Sequence, residues 1–157
     1  MKKLFSVLAV LFVMGTTSVF ATGLGLQGGP VIGDGVGGGG AITFKLNSVP
    51  CVFAVNIGSF NPFAIGATAD WWLGNPSISG TWGWYYGVGV GGNIYLGDNY
   101  AGVGVFGRAL VGTNVFLLDK FLELYINIAW QPGIIIGNGI SPALLSFPVD
   151  FGFRFWF

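Results

Sequence analysis

Large apolar side chains recur at every second position along most of the chain. In TWGWYYGVGVGG, Trp82, Trp84, Tyr86, Val88 and Val90 take one face, while Thr81, Gly83, Tyr85, Gly87, Gly89 and Gly91 take the other. A period of two marks a β-strand, whose successive side chains point to opposite faces. FLELYINIAWQ sets Leu122, Leu124, Ile126, Ile128 and Trp130 against Glu123, Tyr125, Asn127, Ala129 and Gln131. DFGFRFWF sets Phe151, Phe153, Phe155 and Phe157 against Asp150, Gly152, Arg154 and Trp156. Weaker alternation runs through Leu24 and Leu26, Ile42 to Leu46, Phe53 to Ile57, Phe63 to Trp71, and Val103 to Val111. The pattern predicts eight strands, over about 22–29, 40–47, 51–60, 63–73, 80–92, 100–112, 119–131 and 147–157. Turn chemistry separates them, as in Asn47-Ser48-Val49-Pro50, Gly74-Asn75-Pro76-Ser77 and Gly97-Asp98-Asn99.

The nature of the second face decides between a soluble and a membrane fold. In a water-soluble sandwich, the face opposite the core carries Lys, Glu and Asp in number; here it carries glycine, alanine and scattered polar groups. That fits an apolar exterior in lipid around a narrow interior of small side chains. Lipid leaves no water to satisfy backbone groups, so strands cross it only as a closed barrel. The expected fold is all-β, an eight-stranded antiparallel transmembrane β-barrel.

Composition sharpens this. Only 8% of the 157 residues are charged, 53% are hydrophobic and 29 are glycine, whereas about a quarter of a soluble domain is charged. Residues 1–21, with Lys2 and Lys3 before an apolar run and Val19-Phe20-Ala21 at its end, read as a secretory signal peptide. The barrel would then occupy residues 22–157, about 17 residues per strand and connection, against the roughly 9–11 needed to cross a bilayer. The charge-free stretches 71–97 and 124–149 are long enough for a membrane helix, but eight glycines and Pro76 interrupt the first and Pro132, Pro142 and Pro148 the second. Too few basic residues are present to attract nucleic acid.

With both termini at the periplasmic side, Trp71, Trp72, Trp82 and Trp84 come level with Phe155 and Phe157, and Phe60, Phe63, Tyr100 and Trp130 fall at the other rim. Two aromatic girdles are expected at the membrane interfaces, with Trp71, Trp82, Trp84 and Trp130 as their principal members. The ending FGFRFWF, with Phe151, Phe153, Phe155 and Phe157 at alternate positions, resembles the C-terminal signal of bacterial outer-membrane barrels. The whole resembles the small barrels of the OmpX, OmpA-barrel and OmpW type, and ATADWWLGNP, WGWYYGVGV and FGFRFWF look most like small spirochaete barrels. The resemblance implies an outer-membrane location, lipid contact and a BAM-type assembly partner.

Candidate chemistry is sparse. The two GxGxxG matches, at residues 35–40 and 87–92, neither open a helix nor precede a suitable acidic residue, so they read as a loop and as interior glycines. Without histidine there is no Ser-His-Asp triad and no His-based metal site. Glu123 and Asp150 are the one carboxylate pair weighed for acid–base work, and Cys51 is a lone thiol. The chain is read as a non-enzyme without cofactor or metal. Its main constellation is the set of inward charges, Lys45, Arg108 and Arg154 against Asp70, Glu123 and Asp150. Unpaired charge is costly in a low dielectric, so these six are expected to pair into a plug. The predicted outer loop at 132–146 is apolar, with Ile134, Ile135, Ile136, Leu144 and Leu145. These residues read either as extensions of the seventh and eighth strands or as apolar upper walls that resemble the OmpW arrangement, in which a hydrophobic ligand enters from outside and leaves sideways into the bilayer. The expected role is therefore a monomeric structural or surface protein of the outer membrane that passes small hydrophobic molecules. The alternative is an adhesin or host-interaction protein acting through its loops.

Overall fold

The computed structural model describes residues 22–34, 37–60, 63–98 and 100–157; the expected signal peptide and the Phe60 side chain lie outside the described part. Its strands are β1 (Thr22–Gly33), β2 (Gly37–Leu46), β3 (Cys51–Phe60), β4 (Phe63–Gly74), β5 (Ser77–Ser79), β6 (Trp82–Gly97), β7 (Tyr100–Leu117), β8 (Leu122–Trp130), β9 (Gly133–Ile136), β10 (Ile140–Ala143) and β11 (Ser146–Trp156). Eight of them, β1, β2, β3, β4, β6, β7, β8 and β11, pair antiparallel in sequence order. β11 then returns to β1, from Gly23 opposite Trp156 to Gly33 opposite Ser146, and closes the ring. The sheet is thus the eight-stranded antiparallel barrel that the alternation predicts. Thr22 and Phe157 exchange both backbone hydrogen bonds, at 3.0 and 3.1 Å, so the two ends of the described chain meet at one rim.

Exposure follows the period of two. Along β8, Glu123, Tyr125, Asn127 and Ala129 are buried and Leu124, Ile126, Ile128 and Trp130 are exposed. The large apolar residues face outward on every barrel strand, among them Leu26, Ile42, Val55, Ile65, Val90, Val105 and Phe151. Asp34, Asp98, Asp119 and Lys120 sit in connections between strands.

The interior is not filled by small side chains alone, as the sequence suggested. Trp72, Tyr85, Tyr125 and Leu110 are buried inside it. Several inward glycines provide the floor on which a bulky side chain from the adjacent strand lies. A Cβ on Gly112 would meet Tyr85 Cζ at 2.5 Å, one on Gly152 would meet Tyr125 Cζ at 2.3 Å, and one on Gly91 would meet Phe106 Cε2 at 2.4 Å. The glycines are small because their neighbours across the ladder are large. Covering a strand glycine with a cross-strand ring also shields its backbone.

Several boundaries differ from those expected. β2 begins at Gly37 because Gly37–Gly40 pair with Val31–Gly28 of β1, a ladder that outweighs the poor strand propensity of glycine. β6 and β7 run on to Gly97 and Leu117. The segment expected as a long loop is a hairpin, β9 and β10, whose first strand takes over from β8 as the partner of β7, Val105 facing Ile134. Proline places this change: Pro132 follows β8, Pro148 lies in β11, and the β8–β11 ladder stops at Ile128 opposite Val149. Proline has no N–H to give to a ladder. Beyond that level Gln131 N donates to Ser146 O at 2.8 Å.

The glycine floors lead to a direct expectation. Gly112→Ala places a methyl against Tyr85 and the Ile126 carbonyl and should destabilise the folded barrel by about 1–3 kcal/mol, the usual cost of overpacking. Gly107→Ala, on the outward face with nothing within 4 Å of the added carbon, should leave stability unchanged. Urea unfolding followed by tryptophan fluorescence measures both.

Two charge clusters in the barrel interior as the candidate functional site

The strands bring all six inward charges into the interior and join five of them in two ion-paired groups. Towards the rim away from the termini, Arg108 on β7 donates from Nε to Asp70 Oδ1 on β4 at 2.9 Å. Its Nη2 lies 3.7 Å from Asp150 Oδ2 on β11, and its Nη1 donates to Gln131 Oε1. Gly89 on β6, which pairs with both Asp70 and Arg108, gives this bridge room: a Cβ there would lie 2.1 Å from Asp70 Oδ1.

The second group lies towards the termini. Glu123 is fully buried and accepts three hydrogen bonds, from Arg154 Nη1 at 3.0 Å, Trp156 Nε1 at 3.1 Å and Asn114 Nδ2 at 2.9 Å. Glu123 and Arg154 face each other across the β8–β11 ladder. The Arg154 guanidinium also lies 3.9 Å from the centroid of the Tyr125 ring, whose hydroxyl donates to Gln27 Oε1 at 3.0 Å. Trp72 and Tyr85 stack with centroids 3.9 Å apart and planes 11° off parallel. Ion pair, guanidinium and stacked rings together fill this part of the interior. Glu123 and Asp150 belong to different clusters, each engaged by an arginine, so the geometry does not assemble them as an acid–base pair.

Lys45 stands apart. It is buried, forms no ion pair among the described residues, and holds its ammonium over Trp72 at 5.0 Å and Trp156 at 5.5 Å. A cation over an indole face is attracted by the ring quadrupole.

No family model matches the chain, and no curated protein matches it in sequence.

The remaining site residues fall outside the interior. Trp71, Trp82 and Trp84 are exposed on the outer wall at the terminal half, and Trp130 is exposed at the other end. Trp82 Nε1 donates to Thr113 Oγ1 at 2.7 Å and Trp130 Nε1 to Leu144 O at 2.8 Å. Trp72, expected beside Trp71 in the girdle, points inward instead, because adjacent strand residues cannot share a face. Tyr100 has the parity of the inward residues of β7, its hydroxyl lying where a Cβ on Gly102 would fall at 2.7 Å, so it does not join the outer rim either. Phe151, Phe155 and Phe157 are exposed on the outer wall and Phe153 is half-buried there. Among the described residues no three His, Cys, Asp or Glu side chains lie together as a metal site.

Asn114, Tyr125, Gln131 and Trp156, which complete the two clusters, were not singled out from the sequence. Their signal was parity: each shares the inward face of its strand with a charge. A cavity of about 370 Å³ opens above the Arg108 cluster. Its floor includes Arg108, Asp150 and Gln131, and the inward Phe106 and Ile135 belong to its wall.

Removing one partner of a buried pair leaves the other charge uncompensated, at a cost of about 3–5 kcal/mol. Glu123→Ala should therefore destabilise the barrel by that amount. Glu123→Ala combined with Arg154→Met should recover most of it, since neither charge remains. A double-mutant cycle in urea unfolding tests this, and additive losses would refute it.

Proposed function

We propose that the chain is an integral protein of the bacterial outer membrane, a barrel closed at its terminal half and open at the other end to small apolar molecules. The carrying observation is the outer wall. Large apolar residues cover it on all eight barrel strands while the six strand charges turn inward. A water-soluble monomer rarely exposes a contiguous apolar patch beyond a few hundred Å², and a bilayer accepts such a wall where the backbone is paired all round. Trp71, Trp82 and Trp84 at one level and Trp130 at another suit interfacial anchoring of their amphipathic rings. The exposed Phe155 and Phe157 leave the terminal strand available to BAM-type assembly machinery.

The passage of small hydrophobic molecules is supported by the proline-ended seam. The cavity above Arg108 has an apolar upper wall, and at its level the ladder between β8 and β11 has ended. Such a molecule would enter from the outer rim, stop at the charged floor, and leave sideways between the β9–β10 hairpin and β11. The Trp72–Tyr85 stack and the Glu123–Arg154 pair below oppose passage of ions along the axis.

Two measurements test this. The protein should fractionate with envelope membranes, need detergent for release, and migrate differently in SDS before and after boiling, as closed barrels do; release by a salt wash would reject the membrane assignment. In proteoliposomes the apolar dye N-phenyl-1-naphthylamine should enter faster than into empty vesicles while planar bilayers show no ion steps. Equal dye rates would remove the transport role and leave a structural one.

A further inference from the structure

The chamber above the Arg108 cluster, of about 370 Å³, has the size of a small-molecule site, and its charges are unevenly matched. Asp34 and Asp150 belong to its wall, and among the described residues Arg108 is its only cation. That guanidinium is already engaged, Nε donating to Asp70 and Nη1 to Gln131. Asp150 receives only the 3.7 Å contact from Nη2, beyond hydrogen-bond reach, and no other donor among the described residues meets its carboxylate. Its side chain keeps 15% of its surface exposed against 5% for Arg108, so a molecule on the chamber floor touches the carboxylate before the guanidinium. Directly across the β8–β11 ladder from Asp150, Asn127 holds a buried Oδ1 that accepts no hydrogen bond among the described residues. Two neighbouring acceptors therefore lack donors at this level. Asp34 adds a further negative charge nearer the outer rim, its Oδ2 accepting from the Leu144 and Leu145 amides at 3.1 and 2.8 Å. The inward side chains above the floor include Tyr95, Phe106 and Ile135, two of them aromatic.

We infer that the upper chamber is a binding site for small apolar molecules that carry one ammonium group, with the ammonium on Asp150 and the apolar body against Tyr95, Phe106 and Ile135. The inference deepens the reading of this end as an entry for small apolar molecules, and it rests on that reading. Three carboxylates, Asp34, Asp70 and Asp150, stand against one guanidinium at this end. A monocation reduces that imbalance and an anion worsens it, which is how charge complementarity selects a ligand. An ammonium brings three N–H donors and makes the charge-assisted bond that Arg108 leaves unmade. Apolar walls lower the local dielectric, so the contact is stronger here than on an open surface. Aromatic rings in the wall suit both the apolar body and the cation. The negative charge of Asp34 draws cations towards the opening. An ethanolamine headgroup carries the same ammonium, but its phosphate would bring an anion against an acidic wall, so the source is a free solute.

The test is isothermal titration of the full barrel, in non-ionic detergent near neutral pH, with naphthylmethylamine, naphthylmethanol and naphthoate, each corrected for titration into empty micelles. The three share one apolar body and differ in charge. The amine should bind saturably, at one site, and about tenfold or more tighter than the alcohol, the size of a charge-assisted hydrogen bond; naphthoate should bind weakest. Asp150→Asn should remove the preference for the amine and leave the affinity for the alcohol unchanged. Ile135→Lys, which sets a second cation in the wall, should weaken the amine severalfold and favour naphthoate. Heat-modifiable migration shows which variants fold, and if Asp150→Asn does not, Ile135→Lys decides. Equal affinity for amine and alcohol, or an unchanged preference in the folded variants, overturns the ammonium site while the apolar reading stands. Saturable binding of none of the three overturns both. Phosphatidylethanolamine added to the micelles should not displace the amine; displacement would assign the ammonium to a headgroup and overturn the solute source.

Discussion

An eight-stranded ring encloses a space only just wide enough for side chains, and most other features of this structure answer to that limit. A large ring projecting inward has nowhere to stand upright and must lie over the next strand. Tyr85 lies over Gly112, Tyr125 over Gly152 and Phe106 over Gly91. The alternation of glycine with large apolar residues therefore serves two surfaces at once. The large members cover the outside, and the glycines admit a ring from the neighbouring strand on the inside. The cluster around Arg108 obeys the same rule, since Asp70 occupies the space a side chain on Gly89 would need.

Narrowness also governs the charges. Five of the six ionisable side chains are held in two separate ion-paired groups, with the Trp72–Tyr85 stack adding to the fill. Arg108 stands against two carboxylates, whereas Arg154 and Lys45 share the neighbourhood of Glu123, so the group towards the loops carries an excess of negative charge and the terminal group an excess of positive. The two surpluses cancel over the whole barrel. The interior as a whole then keeps no net formal charge.

Much of this was legible from the residues. The strict alternation in 80–92, 119–131 and 147–157 contained the fold, and parity alone turned Lys45, Asp70, Arg108, Glu123, Asp150 and Arg154 inward. What parity does not contain is lateral neighbourhood. Which carboxylate meets which arginine depends on register between strands far apart in sequence, such as Arg108 on β7 and Asp70 on β4, and no local pattern reports that. The aromatic character of Trp72 suggests the rim, but its position next to the outward Trp71 turns it inward. The hairpin of β9 and β10 stayed hidden because three prolines within 132–148 look like loop, although Pro132 and Pro148 flank the end of one ladder and Pro142 sits within β10 opposite Ile134.

The closing ladder has a bearing on how the molecule is made. Gly23 finds Trp156, and Leu26 finds Phe153, only after nearly all the intervening chain has been synthesised. Contacts of such sequence separation are slow to form because the loop entropy must be overcome before they contribute. Until then β1 offers an unpaired edge, with Leu24 and Leu26 beside it, to any strand that passes. The open first edge can pair with another copy before the last strand arrives, so the yield in refolding should be set by concentration before it is set by the stability of the finished ring.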